Sequence, residues 1–273
     1  MVEGLAAELR KSGLKVLVSS KVDEMVSGVK REFEADDLRA FVCGGGDGTA
    51  RMMAELLPAG VPIVIFPMGT ENLLARYLGI GSNVETAVSS VLNGVVRTID
   101  AGEANGRLFL VMASCGFDAD VVQRMHATRK GNIYRWSWFW PTWQAVWKYR
   151  FALVKVTIDG GRVLRPARWA FVFNVPKYAM DLKIAPDAEP TDGKLDICTF
   201  PKGNLWHGLL YVATVFVGQH RRLTRCENHQ TRTIRIESEA RVPFQLDGDP
   251  GGELPLEIRV LPRRVTLLVP PKS

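Results

Sequence analysis

The chain is poor in cysteine and holds no long apolar run, and each shortage excludes a class of protein. Its four cysteines, Cys43, Cys115, Cys198 and Cys226, are far apart and form no C-x-x-C pair. That spacing excludes a disulfide scaffold and predicts reduced thiols, three of them in or beside strand-like runs. Cys226 and His229 make one C-x-x-H pair, with His220 upstream, but no second close pair completes a tetrahedral zinc set. The most apolar stretch, Leu205–Val217, is interrupted by His207 and Gly208 and is too short to cross a bilayer. The start, MVEGLAAELRKSG, lacks the basic opening and apolar core of a secretory signal, so the expectation is a cytoplasmic protein with at most peripheral membrane contact.

What remains is ordinary globular material. With 273 residues, 47% hydrophobic and 23% charged, the chain is long enough for one large or two modest domains and too apolar for disorder. The 35 Lys and Arg against 29 Asp and Glu give a formal charge of +6, which favours anionic partners such as phosphates, nucleotides or an acidic membrane without choosing among them.

Hydrophobic periodicity divides the chain near residue 95. In the first part, residues 4–12 and Val22–Phe33 have helical spacing and Leu14–Ser19 alternates like a strand. Leu38–Cys43 then forms an apolar strand that runs into GGGDGT and a helix over Ala50–Leu57, and Val61–Phe66 runs into PMGTEN and a helix over Leu73–Leu78. A strand ending twice in a glycine turn that opens a helix predicts a parallel α/β sheet with its functional loops at the strand carboxyl ends. Beyond residue 95, many short β-type runs, among them Leu108–Ser114, Ala170–Asn174, Leu195–Phe200, Leu256–Leu261 and Val265–Val269, predict an antiparallel β-sandwich interrupted by helices near 131–149 and 205–221. The expected domains are therefore 1–95 and 96–273.

In VCGGGDGTARMMAEL, Gly44, Gly45, Gly46 and Gly48 let the backbone approach a ligand closely, while the following helix offers unpaired amides and the positive end of its dipole. Phosphate suits such a turn, but no Lys follows as in a Walker motif and the spacing is not G-x-G-x-x-G. Asp47 is the odd element. A carboxylate among phosphate-binding amides repels the ligand unless it serves a metal ion or accepts a proton; otherwise it simply caps the helix.

GGGDGT followed by PMGTENLLAR resembles the paired motifs of the diacylglycerol kinase catalytic-domain family, which includes sphingosine, ceramide and bacterial lipid kinases. The similarity continues through CGFDADV, APDAEPTDGKLDI and FQLDGDPGG, and covers about residues 14–270. It implies an N-terminal α/β nucleotide domain like that of NAD kinases and phosphofructokinases, a C-terminal β-sandwich, and ATP and lipid meeting in a cleft between them. By the same resemblance Asp47 is the candidate acid-base group. Gly45, Gly46, Gly48 and Thr49, with Gly69, Thr70 and Asn72 from the second turn, would hold ATP, and Ser20 would stand near the nucleotide. Asp247 would contact the nucleotide, Asp249 would serve catalysis and Mg²⁺, and Asp192 would hold a divalent ion. Asp247 and Asp249 also fit a plain Asp-Gly hairpin. The chain departs from the family pattern in lacking an N-P-x-S-G turn, in carrying Asp249 for the Glu of D-G-E, and in carrying Thr191 for the first Asp of D-D-G.

Trp136, Trp138, Trp140, Trp143 and Trp147 crowd into a segment rich in Lys and Arg, including Arg129 and Arg135. Amphipathic rings beside cations suit the surface of an anionic bilayer, and also suit a packed helix with solvated arginines. The expected partners are Mg·ATP, a lipid substrate, an anionic membrane surface and, as an option, a second copy of the chain; nucleic acid is not among them. The rival activities are an NAD kinase, which shares G-G-D-G-T, and a catalytically silent lipid- or nucleotide-binding homologue.

Overall fold

The computed structural model describes residues 1–128, 151–178, 184–202 and 226–271. The expected helices at 131–149 and 205–221, with Arg129, Arg135, Trp136, Trp138 and Trp140, lie outside the described residues. Residues Met1–Ile99 with Arg263–Ser273 form one compact unit, and Asp100–Pro262 form another.

The first unit runs α1 (Val2–Lys11), α2 (Val22–Glu34), β1 (Phe41–Gly45), α3 (Asp47–Leu56), β2 (Pro62–Pro67), α4 (Leu73–Leu78) and α5 (Val84–Asn93). Local chemistry sets the helices. Asp23 and Glu24 open α2 and Arg31 closes it, each matching the helix dipole, and the Asn83 side chain caps α5 by accepting the Thr86 amide at 2.8 Å. Strands β1 and β2 pair in parallel, Phe41 beside Ile63 through Gly45 beside Pro67. Leu5 and Leu9 of α1 and Ala87 and Val91 of α5 bury against Val64, Phe66 and Leu268. Each such fully buried large side chain contributes about 1.5–3 kcal/mol of transfer free energy.

The expected strand Leu14–Ser19 does not form. Its alternation is real, since Leu14 and Val16 pack on the core of the first unit. Leu17 and Val18 instead stand 66% and 48% exposed, and no neighbouring strand supplies a ladder, so the segment stays extended and unpaired. A period of two records which side chains face inward, whereas strand formation also requires a partner.

The second unit contains two sheets. Strand β3 (Val95–Ala104), whose first residues belong to the first unit, forms a hairpin with β4 (Arg107–Phe109). β5 (Met112–Cys115), α6 (Phe117–Thr128), β6 (Lys155–Ile158), β7 (Arg162–Val163), β8 (Trp169–Phe173), β9 (Leu195–Phe200), β10 (Glu227–Thr231), β11 (Thr233–Glu237), β12 (Pro243–Leu246), β13 (Asp249–Glu253) and β14 (Leu256–Val269) follow. One sheet is antiparallel throughout, in the order β10-β9-β8-β5-β12-β13. The other sets β11 between β14 and β6, with β7 beyond. Val156, Ile158, Ile234, Ile236, Leu256 and Ile258 of this sheet bury against Ala113, Ala170, Val172, Ile197, Phe244 and Leu246 of the first, which makes the sandwich core.

β14 is one strand where the sequence suggested two. Arg263 takes a left-handed φ of 53° where the runs were separated, and beyond it Thr266 and Leu267 pair in parallel with Pro62 and Ile63. The last residues of the chain thus join the first unit's sheet, which the sequence reading left with the second domain. All four cysteines are free; Cys43, Cys115 and Cys198 are buried and Cys226 is half-buried. Among the described residues no helix is long and apolar enough to cross a membrane.

The β3–β4 hairpin depends on a residue without a side chain. Gly102 pairs with Phe109, and a Cβ at Gly102 would fall 2.0 Å from the Phe109 ring. Gly102→Ala should therefore lower stability by about 1–3 kcal/mol through overpacking, read as a fall in the urea midpoint.

Candidate functional site

The site in the first unit begins where β1 and β2 end. Both strands run out into glycine turns, and the two backbones come close enough that a Cβ on Gly69 would lie 2.7 Å from the Gly46 Cα. A Cβ on Gly45 would meet the Thr49 hydroxyl at 2.5 Å. These positions favour glycine because the space of a side chain is already filled by Thr49 or by the opposite turn. The Met68 amide donates to the Gly45 carbonyl at 2.9 Å and joins the turns directly.

Asp47 locks them together. Its Oδ2 accepts the Leu73 amide at 2.8 Å and its Oδ1 accepts the Leu74 amide at 3.0 Å. The sequence allowed a capping role for Asp47 on the helix it opens; in the structure it caps α4, the helix of the other turn. The ten-residue α3 has Gly46 at its N-cap and no side-chain cap of its own. Its N-terminal dipole end is thus left without a side-chain cap, while the Leu73 and Leu74 amides of α4 are engaged by Asp47. Burial pushes the Asp47 carboxyl above its ordinary range; the Leu74 and Leu73 amides oppose that shift, the nearby Glu71 carboxylate adds to it, and the amide of Asp47 itself also opposes it.

Asn72 closes the second turn on itself. In a left-handed conformation with φ 48°, its Oδ1 accepts the Gly69 amide at 2.9 Å and its Nδ2 donates to the Gly69 carbonyl at 2.8 Å. It holds Gly69 and Thr70 in place. Ser20 stands exposed at the bend before α2, and no hydrogen bond joins it to either turn.

A second polar centre lies in the other unit, around the turn that joins β12 to β13. Asp247, with φ 50°, accepts the Leu110 amide on Oδ2 at 2.7 Å and the Val111 and Met112 amides on Oδ1 at 2.9 Å each. This bonding breaks the single run expected over Leu108–Ser114 into β4 and β5. Asp249, beside it, lies 3.7 Å from Nε2 of His126 on α6.

No residue-type signal in CGFDADV marks a functional group, yet the structure makes Asp118 a centre. Its carboxylate accepts Ser114 Oγ at 2.5 Å, Gln245 Nε2 at 3.2 Å and the Tyr178 hydroxyl. Burial pushes the Asp118 carboxyl up, against these three bonds, and pushes the Tyr178 phenol well above its ordinary range, with the Asp118 charge adding. Aromatic rings extend from this centre. Phe117, Phe151 and Trp169 stack at centroid distances of 5.3–5.9 Å, Phe200 tilts against Trp169, and Phe171 packs edge-on to Phe200 and Tyr178. The signal for Asp118 was its place at the start of a helix next to a strand; an amphipathic pattern cannot show that a side chain turns back to the sheet.

Asp192 belongs to neither centre. Its Oδ1 accepts the Lys194 amide at 2.9 Å and its Oδ2 accepts Gln230 Nε2 at 3.3 Å. Among the described residues no three His, Cys, Asp or Glu side chains gather as metal ligands.

The contrast between two aspartates is testable. Asp247→Asn replaces one amide-accepting oxygen with a donor and should cost about 1–3 kcal/mol. Asp192→Asn keeps the oxygen that bonds the Lys194 amide on an exposed turn and should stay within about 0.5 kcal/mol of wild type. Chemical denaturation of both variants checks the difference.

Residues 2–104 match the diacylglycerol kinase catalytic domain, and residues 111–269 match the YegS C-terminal NAD kinase β-sandwich-like domain. An uncharacterized protein of Synechocystis is 24% identical over 266 residues, which cover 94% of this chain and 61% of that protein. A diacylglycerol kinase of Bacillus subtilis is 25% identical over 245 residues, covering 88% of this chain and 79% of its own. The crystal structure of a diacylglycerol kinase from Bacillus anthracis superposes with a TM-score of 0.65 at 19% identity, over 94% of this chain and 85% of that one, and is alike in fold. With both domain matches in chain order over the two glycine turns and the sandwich, the chain belongs to the diacylglycerol kinase family.

Proposed function

We propose that the protein is an ATP-dependent lipid kinase, which transfers the γ-phosphoryl group of Mg·ATP to a hydroxyl of diacylglycerol, a sphingoid base or a related amphiphile. The observation that carries this reading is the pair of glycine turns locked through Asp47. It packs Gly46 and Gly69 backbone to backbone, against the Asn72 side chain, beside the N-terminus of α3, which has no side-chain cap. Two strand-end glycine turns meeting beside a helix N-terminal dipole fit a triphosphate. Gly45, Gly46, Gly48 and Thr49 hold phosphate oxygens, Gly69 and Thr70 approach from the second turn, and Asn72 keeps that turn shaped.

Asp47 accepts the proton of the attacking hydroxyl. Its two oxygens accept the Leu73 and Leu74 amides and retain further acceptor capacity, and burial raises its affinity for a proton. Mg²⁺ enters with ATP as part of the substrate. On the acceptor side, the aromatic layer of Phe117, Phe151, Trp169 and Phe200 beside the buried Asp118 centre suits a molecule with one polar head and apolar chains. Binding to an anionic membrane through Arg129, Arg135, Trp136, Trp138 and Trp140 is part of the proposal and rests on their composition.

Labelled γ-phosphate from Mg·ATP, offered to mixed micelles of candidate lipids, tests the reading. Wild type should label a lipid, and Asp47→Asn should lower the rate by about 10²–10⁴-fold, with thermal unfolding run in parallel to separate lost chemistry from lost fold. The wild-type rate should rise with pH as the Asp47 carboxyl loses its proton, on a limb above the ordinary carboxylate range. Labelling of NAD in place of lipid, or stabilisation by Mg·ATP without any transfer, overturns it. Liposome flotation should weaken in a Trp138→Ala, Trp140→Ala double variant, and unchanged flotation removes the membrane element.

A further inference from the structure

The Asp247-Gly248-Asp249 turn is pinned from more sides than a hairpin of its length requires. Asp247 is held by three amides of the β4–β5 connection. Gly248, with φ 85°, has both polar groups of its backbone engaged by side chains. Its amide donates to Gln245 Oε1 at 2.8 Å, and its carbonyl lies 3.1 Å from His126 Nε2. Gln245 is itself fixed, 1% exposed, with its Nε2 shared among Ser114 Oγ at 2.9 Å, Met112 Sδ at 2.8 Å and Asp118. A carbonyl has no proton to give, so the Nε2 of His126 carries one and donates it. The same nitrogen is 3.7 Å from Asp249 Oδ1. The imidazole thus faces both the carbonyl before Asp249 and the Asp249 carboxylate. α6 presents it rigidly, since α6 packs on β5, β12 and β13 and the Arg124–Asp120 pair, one turn earlier, closes at 2.5 Å.

Asp249 opens β13 directly after the held Gly248 and is 36% exposed. We propose that His126 is a positioning residue for Asp249: by donating its Nε2–H to the Gly248 carbonyl it fixes the turn from which the Asp249 carboxylate projects. Nothing in the chain's motifs marks His126, which reads in the sequence as an isolated histidine. The inference rests on the lipid-kinase reading only in giving Asp249 a task toward Mg·ATP; the holding of the turn stands without it.

Two variants separate the parts. His126→Leu keeps bulk and removes the donor, while His126→Gln carries an amide N–H close to the place of Nε2. Hydrogen–deuterium exchange over residues 246–250 should quicken about tenfold or more in His126→Leu and return toward wild type in His126→Gln. In the phosphate-transfer assay, His126→Leu should lose about tenfold in kcat/KM for Mg·ATP with the KM for lipid unchanged, and His126→Gln should recover most of it. Added to Asp249→Ala, His126→Leu should cost little more, because the group it positions is gone. Unchanged exchange in His126→Leu overturns the inference whatever the enzyme does, as does equal loss in both His126 variants or full additivity with Asp249→Ala. Quickened exchange together with a wild-type protein that labels no lipid leaves His126 holding the turn and overturns the kinase reading instead. If His126→Leu does not fold, His126→Asn serves, since its amide is too short to reach the Gly248 carbonyl from the same helix position.

Discussion

The first unit depends on one carboxylate bonding to amides far along the chain. Asp47 reaches the amides of Leu73 and Leu74, 26 and 27 residues on, and adds to the Met68–Gly45 backbone bond a side-chain tie between the turns that end β1 and β2. A parallel sheet aligns strands but leaves the loops at their carboxyl ends free to choose a course. The Asp47 bonds remove that freedom, and they use up the amides at the start of α4 in doing so. The two turns are consequently unequal: one presents an open helix end, the other is a brace.

The same device recurs in the second unit. Asp247 clamps Leu110, Val111 and Met112, while Asp100, 1% exposed, accepts the Gly193 amide at 2.7 Å. Asn174 does the converse, donating to the carbonyls of Asp100 and Leu110 at 2.9 and 2.8 Å. Irregular backbone can be buried only if its polar groups find partners, and here short polar side chains supply them where the ladder is interrupted. A buried carboxylate is costly in isolation and acceptable when amides converge on it. Acidic residues that sequence reasoning assigns to ligand binding are therefore, in several cases, occupied first with holding the chain.

This accounts for what could and could not be read in advance. The strand, glycine turn and helix units were legible because apolar period and turn chemistry agree over Phe41–Leu56 and Pro62–Leu78. The helix Leu73–Leu78 has the same bounds in sequence and structure. Edge strands were not legible. β10 reads ENHQT and β13 reads DPGGE; their pairing comes from the neighbouring β9 and β12, and in β13 the glycines make room for the Phe244 ring, which a Cβ on Gly251 would meet at 2.2 Å. Leu14–Ser19 failed in the opposite sense, with the right alternation and no partner. Within the candidate site, residue types pointed correctly to the glycine turns. Which oxygen meets which amide, the placing of Asp118 under the aromatic rings and the approach of His126 to the hairpin depend on chain separations that no local pattern contains.

The burial of the cysteines has a chemical consequence. Cys43 in β1 and Cys115 in β5 sit in apolar surroundings that push their thiols up to about 12, from the ordinary value near 9, so that at neutral pH the reactive thiolate is scarcer by about a thousandfold than at an exposed cysteine. One of these sulfurs lies in each unit. While the protein is folded, both are invisible to alkylating reagents and mild oxidants, and each becomes reactive only when the strand that carries it opens. The chain thus carries native reporters of local opening in both halves of its architecture, Cys43 in the first unit and Cys115, with the equally buried Cys198, in the second.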